Sequence, residues 1–356
     1  ASACFIFVLF TMLGQFRYMA TDNTNFNRKN IYNIAAPANL HLLQHDILEN
    51  KNVLQAGFVS IPFGGNSAKA IIKKNKQGIG LTANYYAADA GFVSNMNLPI
   101  VAGNNLLTSS GDSASRFVLV NEQLLSAIGF KNIHEAIGKT FLLNNEEELI
   151  INGVLSNFCY GNYQFAAEPL IMQYNPSQFH VLNIKTKNKV DDAVFKSEMN
   201  SIWKKYFPHE ELSFSNYQED MYERYFPGGD MKFMGMFCAA VLVIALMGLL
   251  GIVNYHTESR VKEVGIRKVL GATVKQIIGE LSKGFVKLTL IAAAIALPVG
   301  YTICYFFIKL FAYSNGVNIL LLSTLFAAIF FIAVIIIVSK SLVAARANPV
   351  KSLRSE

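Results

Sequence analysis

His41 and His45 are the first pair whose types and spacing could do chemistry. Residues i and i+4 share one face of a helix, and two imidazoles on one face can ligate zinc. A zinc hydrolase of that design carries Glu directly after the first His; here Leu42 stands there, and no other His or Cys lies nearby in sequence. The pair therefore reads as ordinary helix surface. The acidic run Glu146–Glu148 could hold a cation, but it lies at the polar tip between two apolar-rich segments and reads as a solvated turn. No stretch matches the phosphate-cradling GxxxxGK[ST] or the GxSxG elbow, and no carboxylate pair has a spacing that singles it out. Of the four cysteines, Cys4, Cys238 and Cys304 sit in apolar runs and Cys159 stands apart, so no disulfide framework is expected. The expectation is a chain with no catalytic, metal or cofactor site of its own.

The elements that would position any site are dominated by lipid-like sequence. The 356 residues are 52% hydrophobic, with a positive mean hydropathy. Phe233–Tyr255, Leu288–Ile308 and Val317–Ser339 carry no Asp, Glu, Lys or Arg. Each is long enough to cross a hydrocarbon core, which takes roughly 20 helical residues. The N-terminal run "ASACFIFVLFTMLGQF" is a fourth, somewhat short and without an initiator Met. It is expected to be the end of a transmembrane helix that begins before Ala1; a signal peptide fits less well, because no positive n-region precedes it.

Charge then sets topology. Arg17 to Lys232 holds 19 Lys and Arg against 20 Asp and Glu, a net of −1, whereas Phe233 to Glu356 holds 12 against 4, a net of +8. The +7 of the whole chain thus belongs to the membrane part, which points to cytoplasmic loops rather than to nucleic acid. Arg260, Lys262, Arg267, Lys268, Lys275 and Lys283 place the loop between the first two complete spans inside; Lys340, Arg346, Lys351 and Arg354 place the tail inside. The uncharged turn "YSNGVN" falls outside, and by parity so does the long segment between Arg17 and Lys232.

That outer segment reads as a small α/β layer domain. "RFVLV" and "FHVLNIKT" have strand patterns, and "KTFLLNNEEELIINGVL" reads as a hairpin. "NEQLLSAIGF" has Asn121 as N-cap and Gly129 as stop. "DDAVFKSEMNSIWKKYFP" reads as a helix with Asp191 and Asp192 at its start, Lys204 and Lys205 at its end, and Pro208 beyond. "ELSFSNY" is the next strand; Gly64–Gly65 and "KAIIKKNKQG" read as loop and edge features.

The most charged stretch of the C-terminal third, "ESRVKEVGIRKVLGATVKQIIGELSK" (Glu258–Lys283), lies between two spans. Arg267 and Lys268 suit the negative end of a helix, and Gly271 suits the position just past it. Thr273 and Gln276 have capping-box spacing for a second helix. In that helix Val274, Ile277, Ile278, Leu281 and Phe285 form one apolar face running into the next span. Helix, glycine break, helix is the expected order. The residues alone leave two readings open: a docking helix held at the membrane mouth, or an interfacial loop whose Lys and Arg meet anionic lipid.

"ESRVKEVGIRKVLGATVKQI" resembles the signature loop of FtsX-like, MacB-type ABC transporter permeases, of pattern E-x-R-x-K-E-[IV]-G-I-R-K-V-L-G-A-[ST]. The tail "AARANPVKSLRSE" resembles the family's ending A-x-x-x-P-V-x-x-L-R-x-E. "YYAADAGFVSNMNLPIVAGNNL", "FVLVNEQLLSAIGF" and "AIGKTF" more loosely resemble the MacB-type periplasmic core domain, and "FAYS" is similar to related Bacteroidota sequences. The resemblance implies an α-helical membrane protein of four transmembrane helices, with a large extracytoplasmic α/β domain between the first and second. Its parts would be a helix at 1–19, cut short at its start; a periplasmic core at 20–230; and a permease domain at 231–356. The last holds spans near 233–255, 285–311 and 317–340, a cytoplasmic coupling loop at 256–283 and a tail at 341–356. The resemblance also implies that ATP and Mg are bound by a partner ABC ATPase, which grips the coupling loop. Arg260, Lys262, Glu263, Gly265, Ile266, Arg267, Lys268, Leu270, Gly271 and Ala272 match that loop, and Thr273 and Gln276 form its helix cap. Further implied partners are a second permease half or homodimer copy, a periplasmic adaptor and an outer-membrane channel. The implied place is the bacterial inner membrane. MacB itself carries its nucleotide-binding domain fused upstream of the first span, and none is seen here; many members repeat the four-helix unit, so the chain is expected to be one half or fragment. The leading function is ATP-driven mechanotransmission to the outer domain, exporting a peptide, antibiotic or lipid-linked substrate. The alternatives are FtsX-like regulation of cell-wall hydrolases, or a ligand-sensing membrane module. An outer segment of about 200 residues favours the MacB side.

Overall fold

A computed structural model describes residues 2–35, 41–107, 114–130, 132–144 and 146–346. The chain divides into two compact units: Arg17–Phe226 with Phe311–Tyr313, and the remainder. Helix α1 (Ser2–Thr21) begins in the second unit and supplies its last residues to the first.

The outer unit contains two sheets. Its strands are β1 (Ile31–Ala35), β2 (Val53–Val59), β3 (Ala68–Lys73), β4 (Leu81–Ala87), β5 (Ile100–Gly103), β6 (Phe117–Asn121), β7 (Thr140–Leu143), β8 (Glu147–Leu155), β9 (Leu170–Gln173), β10 (Val181–Thr186) and β11 (Ser213–Asn216). Its helices are α2 (His41–Leu48), α3 (Ala90–Asn95), α4 (Glu122–Ala127), α5 (Ile133–Ala136), α6 (Asp192–Tyr206) and α7 (Tyr217–Tyr225).

The smaller sheet runs β11-β1-β10-β2, antiparallel throughout. Tyr32, Ile34, Leu182 and Ile184 join one apolar cluster with Leu43 and Ile47 of α2 and Phe195, Met199 and Trp203 of α6. Ile31, Val59 and Val181 join another with Phe92 of α3 and Tyr217 and Met221 of α7. Helices thus cover both faces, which is why the central strands β1 and β10 are buried along almost their whole length rather than alternating.

The larger sheet runs β5-β8-β6-β9-β4-β3-β7, and β7 also pairs with β8. Six strands therefore form a closed circuit, with β5 continuing beside the far end of β8. The long strand β8 makes closure possible: Glu147–Ile150 pair with β7, and Gly153–Leu155 pair with β5. Two expectations change here. The domain is not a simple layered α/β unit, because one sheet closes on itself. Nor is "KAIIKKNKQG" a loop and edge feature at its start, since Ala68–Lys73 is β3, bonded to β4 on one side and to β7 on the other.

Local signals decide several helix ends. Asn121 caps α4 by accepting from the Leu124 N–H (3.0 Å), and Asp191 caps α6 by accepting from the Ala193 and Val194 N–H groups (3.0 Å each). Gly129 follows α4 with φ 86°. His41 and His45 do share α2; His41 packs its ring 4.4 Å from that of Phe58, and His45 faces Glu49. Among the described residues no group of His, Cys, Asp or Glu could hold a metal, and the four cysteines are free.

The second unit contains α8 (Gly228–Ser259), α9 (Val261–Val269), α10 (Val274–Ile308) and α11 (Ile319–Arg346). With α1, three of these are long and apolar enough to cross a membrane. Helix α10 runs unbroken from the charged stretch through the span and ends at Ile308, with Lys309 as its C-cap. Ile6 and Leu9 of α1 pack with Cys238 of α8 and Ile329 of α11; Phe7 packs with Cys304 of α10 and Leu322 of α11. Ala239, Ala240, Gly248 and Gly251 of α8 are exposed in the single chain, and a Cβ at either glycine would meet nothing. Gly300 of α10, in contrast, is closely packed: a Cβ there would fall 2.5 Å from the Phe7 ring.

Candidate functional site

The basic stretch folds as two helices joined by a three-residue turn. Helix α9 is short, and its end is built from the backbone outward. Leu270 is the C-cap and Gly271 has φ 90°, a conformation glycine takes without a Cβ penalty. The Gly271 N–H donates to the Lys268 carbonyl (3.1 Å) and the Ala272 N–H to the Arg267 carbonyl (2.9 Å). These are the paired bonds of a Schellman motif, which satisfy carbonyls that a helix end leaves open. Two residues on, Gln276 N–H donates to Thr273 Oγ1 (3.4 Å) and Thr273 N–H donates to Gln276 Oε1 (2.9 Å). This reciprocal capping box starts α10. The angle between α9 and α10 is thus fixed by bonds at both ends of the turn.

The interior of this corner is small and apolar. Val264 of α9, Ile277 and Leu281 of α10, and Ala345 of α11 form one buried cluster, with Ala272, Ile278 and Ala344 against it. Gly265 is also buried. Beyond the cluster, Ser282 donates to Ser341 (3.0 Å), a buried bond tying α10 to α11. His256 of α8 sets its ring edge-on to Phe285 of α10, 4.9 Å away. Of the expected apolar face, Ile277 and Leu281 are buried, Ile278 and Phe285 partly so, and Val274 is exposed.

The outward face is mixed. Lys262 and Arg260 are exposed, and Glu263 pairs with Arg267 one turn on at 2.7 Å. Between them Ile266 is 54% exposed, Val269 71% and Leu270 81%. Spacings of three and four put these three side chains on one ridge. An apolar ridge flanked by cations on a short, rigidly held helix suits insertion into a groove of another protein. The hollow between Arg260, Glu263, Arg267, Ile277 and Glu280 has a volume of about 10 Å³, far below that of a small-molecule site. The tail from residue 347 onward lies outside the described residues.

Sequence reading missed a second feature, in the outer unit. A cleft of about 530 Å³ opens beside α7, lined by Asn33, Ile61, Phe63, Tyr217, Asp220 and Arg224 among others. Its floor adjoins a buried amide chain: Asn183 donates to Asn33 (2.8 Å), and Asn95 donates to Asn183 Oδ1 (3.0 Å). The contributing residues are spread from β1 to α7, so no local motif marks it.

Residues 235–349 match the family model described as FtsX-like permease C-terminal. No curated protein matches the chain. In structure the chain is similar to the periplasmic region of MacB from Actinobacillus actinomycetemcomitans, at 13% identity and TM-score 0.41, over 54% of this chain and 91% of that one. It is also similar to the extracellular domain of the ABC-type transporter YknZ from Gram-positive bacteria, at 10% identity and TM-score 0.37, over 52% and 97%. A domain of a Porphyromonas gingivalis protein named as a permease is similar at 15% identity and TM-score 0.38, over 53% and 91%.

Proposed function

Residues 235–349 make this chain an FtsX-like permease, a membrane subunit of the kind that works with an ABC ATPase, and from that premise we propose that the α9–Gly271–α10 corner is where ATP-driven motion enters it. The partner ATPase binds ATP and Mg. Its groove takes the ridge of Ile266, Val269 and Leu270, and Arg260, Lys262, Arg267 and Lys268 steer the encounter. Because α10 (Val274–Ile308) is one helix from the corner through its span, with Pro298 inside it, a push on the corner is passed along it. The outer domain changes shape in response and handles a peptide, antibiotic or lipid-linked substrate on the periplasmic side of a bacterial inner membrane. A second permease copy, an adaptor and an outer-membrane channel complete the assembly in this reading.

The observation that carries the proposal is the exposed apolar ridge on a helix whose C-terminal turn is fixed by the Gly271 end and the Thr273 cap. A lipid-facing interfacial loop would need no such bracing. The test is Arg267→Glu with Lys268→Glu in the full complex in membranes, which places acids at the negative end of α9. The expected result is an assembled or partly assembled complex whose ATPase no longer responds to the permease, while the outer domain stays folded. Full, permease-stimulated ATPase activity in that variant would remove the coupling role.

A further inference from the structure

The chain passes between its two units only at 16/17, 226/227, 310/311 and 313/314. Segments adjoining all of these crossings meet, inside the outer unit, at one buried cation. Arg28 is 1% exposed. Its Nη1 donates to the carbonyl of Met19 (2.7 Å), and its Nη2 donates to the hydroxyl of Tyr163 (2.5 Å). Met19 lies in the last turn of α1, where carbonyls have no donor within the helix. The guanidinium therefore closes the negative end of α1 from outside it.

The second arm continues to an anion. The Tyr163 hydroxyl donates to Asp22 Oδ2 (3.2 Å). Asp22 also accepts from the Thr24 N–H (2.8 Å), the Thr24 hydroxyl (2.7 Å) and the Asn25 amide (2.6 Å). Burial works against the Asp22 carboxylate, but the bonds from Thr24 and Asn25 and the charge of Arg28 hold its pKa below the usual value. Burial raises the Tyr163 phenol, so the hydroxyl keeps its proton and serves both as acceptor from Arg28 and as donor to Asp22.

Aromatic rings bring in the other segments. The Arg28 guanidinium lies 4.7 Å from the Phe26 ring and 5.9 Å from those of Tyr163 and Tyr225. Its Nε finds no acceptor among the described residues, so the terminal nitrogens and the rings hold it. Tyr225, just before α8, donates its hydroxyl to the Gly161 carbonyl (2.6 Å). Tyr313, between α10 and α11, donates its N–H to the Tyr163 carbonyl (3.1 Å) and sets its ring edge-on to Tyr163 at 6.3 Å. Residues 158–164, which all these groups touch, belong to the connection from β8 to β9.

Resting on the coupling reading above, we infer that Arg28 is the positioning residue of a latch. Arg28, Tyr163 and Asp22 bind the end of α1, the approach to α8 and the α10–α11 turn into one cooperative cluster, so that movement of any of these connections reaches strands β8 and β9 through the others. The fork of the guanidinium suits this task, because two of its donors hold fixed directions at once; an ammonium does not hold them so.

The test uses the full chain in lipid nanodiscs and backbone hydrogen exchange. In the wild type, amides of 17–31, 158–164 and 311–316 should open together. Tyr163→Phe keeps the ring and removes the hydroxyl. It should speed exchange in all three segments about tenfold, the scale of one hydrogen bond to a charged group, and leave the smaller sheet unchanged. Arg28→Met should do the same more strongly, and Arg28→Lys should restore only part. Faster exchange confined to 158–164 in Tyr163→Phe would reduce the cluster to local packing and overturn the latch. With the partner ATPase and ATP present, wild-type exchange should change both at 261–276 and in the three latch segments. A change at 261–276 with a silent latch overturns the inference and leaves the coupling reading standing; no change at 261–276 removes both.

Discussion

A methyl group added at Gly57 would strike the backbone nitrogen of Phe92, and one at Gly153 the carbonyl of Asn104; added at Gly235, Gly248, Gly251, Gly279 or Gly284, it would meet no atom of this chain. The first two glycines belong to the outer unit, the other five to the membrane unit. In the outer unit backbone packs on backbone, and the chain itself sets the cost of any change. In the membrane unit much of the helix surface meets no other part of the described chain, Gly300 against Phe7 being an exception. Helix α8 shows this most clearly: only 11% of its most apolar window is buried, against 39% for α1. Phe233, Met236, Ile244 and Met247 project outward from it, as lipid-facing or partner-facing residues do.

The sharpest way to break this comparison is Gly57→Ala. Its Cβ would collide with the backbone of α3, which cannot move aside as a side chain can. The expected cost is about 3 kcal/mol or more, read as loss of thermal stability of the outer domain in the full chain. Wild-type stability in this variant would mean that the outer unit is looser than its contacts indicate.

Asp89 gives the next effect. It is buried at the start of α3 and accepts from the Phe92 N–H (2.7 Å). Burial raises its pKa to about 6, against the pull of backbone donors. The folded state then holds a proton that the unfolded state releases near pH 4, so this group makes stability fall as pH rises from about 4 to about 6 and adds no slope above that. The size is on the order of 3 kcal/mol. Asp89→Asn keeps the cap and should remove that slope. Asp22 and Glu168, whose pKa values are lowered, act in the opposite direction, so the difference between wild type and variant is the quantity to measure. Equal pH profiles would contradict the assignment.

At the corner of the membrane unit, Thr273→Ala should cost about 1 kcal/mol by removing a cap. Gly271→Ala should cost a similar amount through its positive φ. Both should appear as faster amide exchange at 274–277 rather than as global unfolding. The smallest effect is expected at Gly248→Ala: within about 0.5 kcal/mol for the chain alone. A large loss of assembly in that variant would sharpen the comparison, because it would identify α8 as a surface covered by another helix.

The parts of this architecture that rest on short-range chemistry were legible in the sequence. Asn121, Asp191 and Thr273 each cap a helix whose residues follow directly, and the uncharged runs announce their helices by length. Helix α10 was less legible as a single object, because its charged start and apolar span look like two segments. Strand β3 looked like an edge because its contact with β7 joins residues some 70 positions apart. Arg28 carried no signal at all. Its acceptors are Met19, close in sequence, and Tyr163, 135 positions away, and only folding brings them together.

The central claim, that α9 is the contact for an ATPase, is tested most directly by a photo-crosslinker placed along that helix in the complete complex in native membranes. From Leu270 and Ile266, on the exposed ridge, it should capture the ATPase subunit. From Val264, 6% exposed and packed against α10 and α11, it should capture none. Capture of the ATPase from other positions, such as Arg346 at the end of α11, with none from Leu270 or Ile266, would contradict the account.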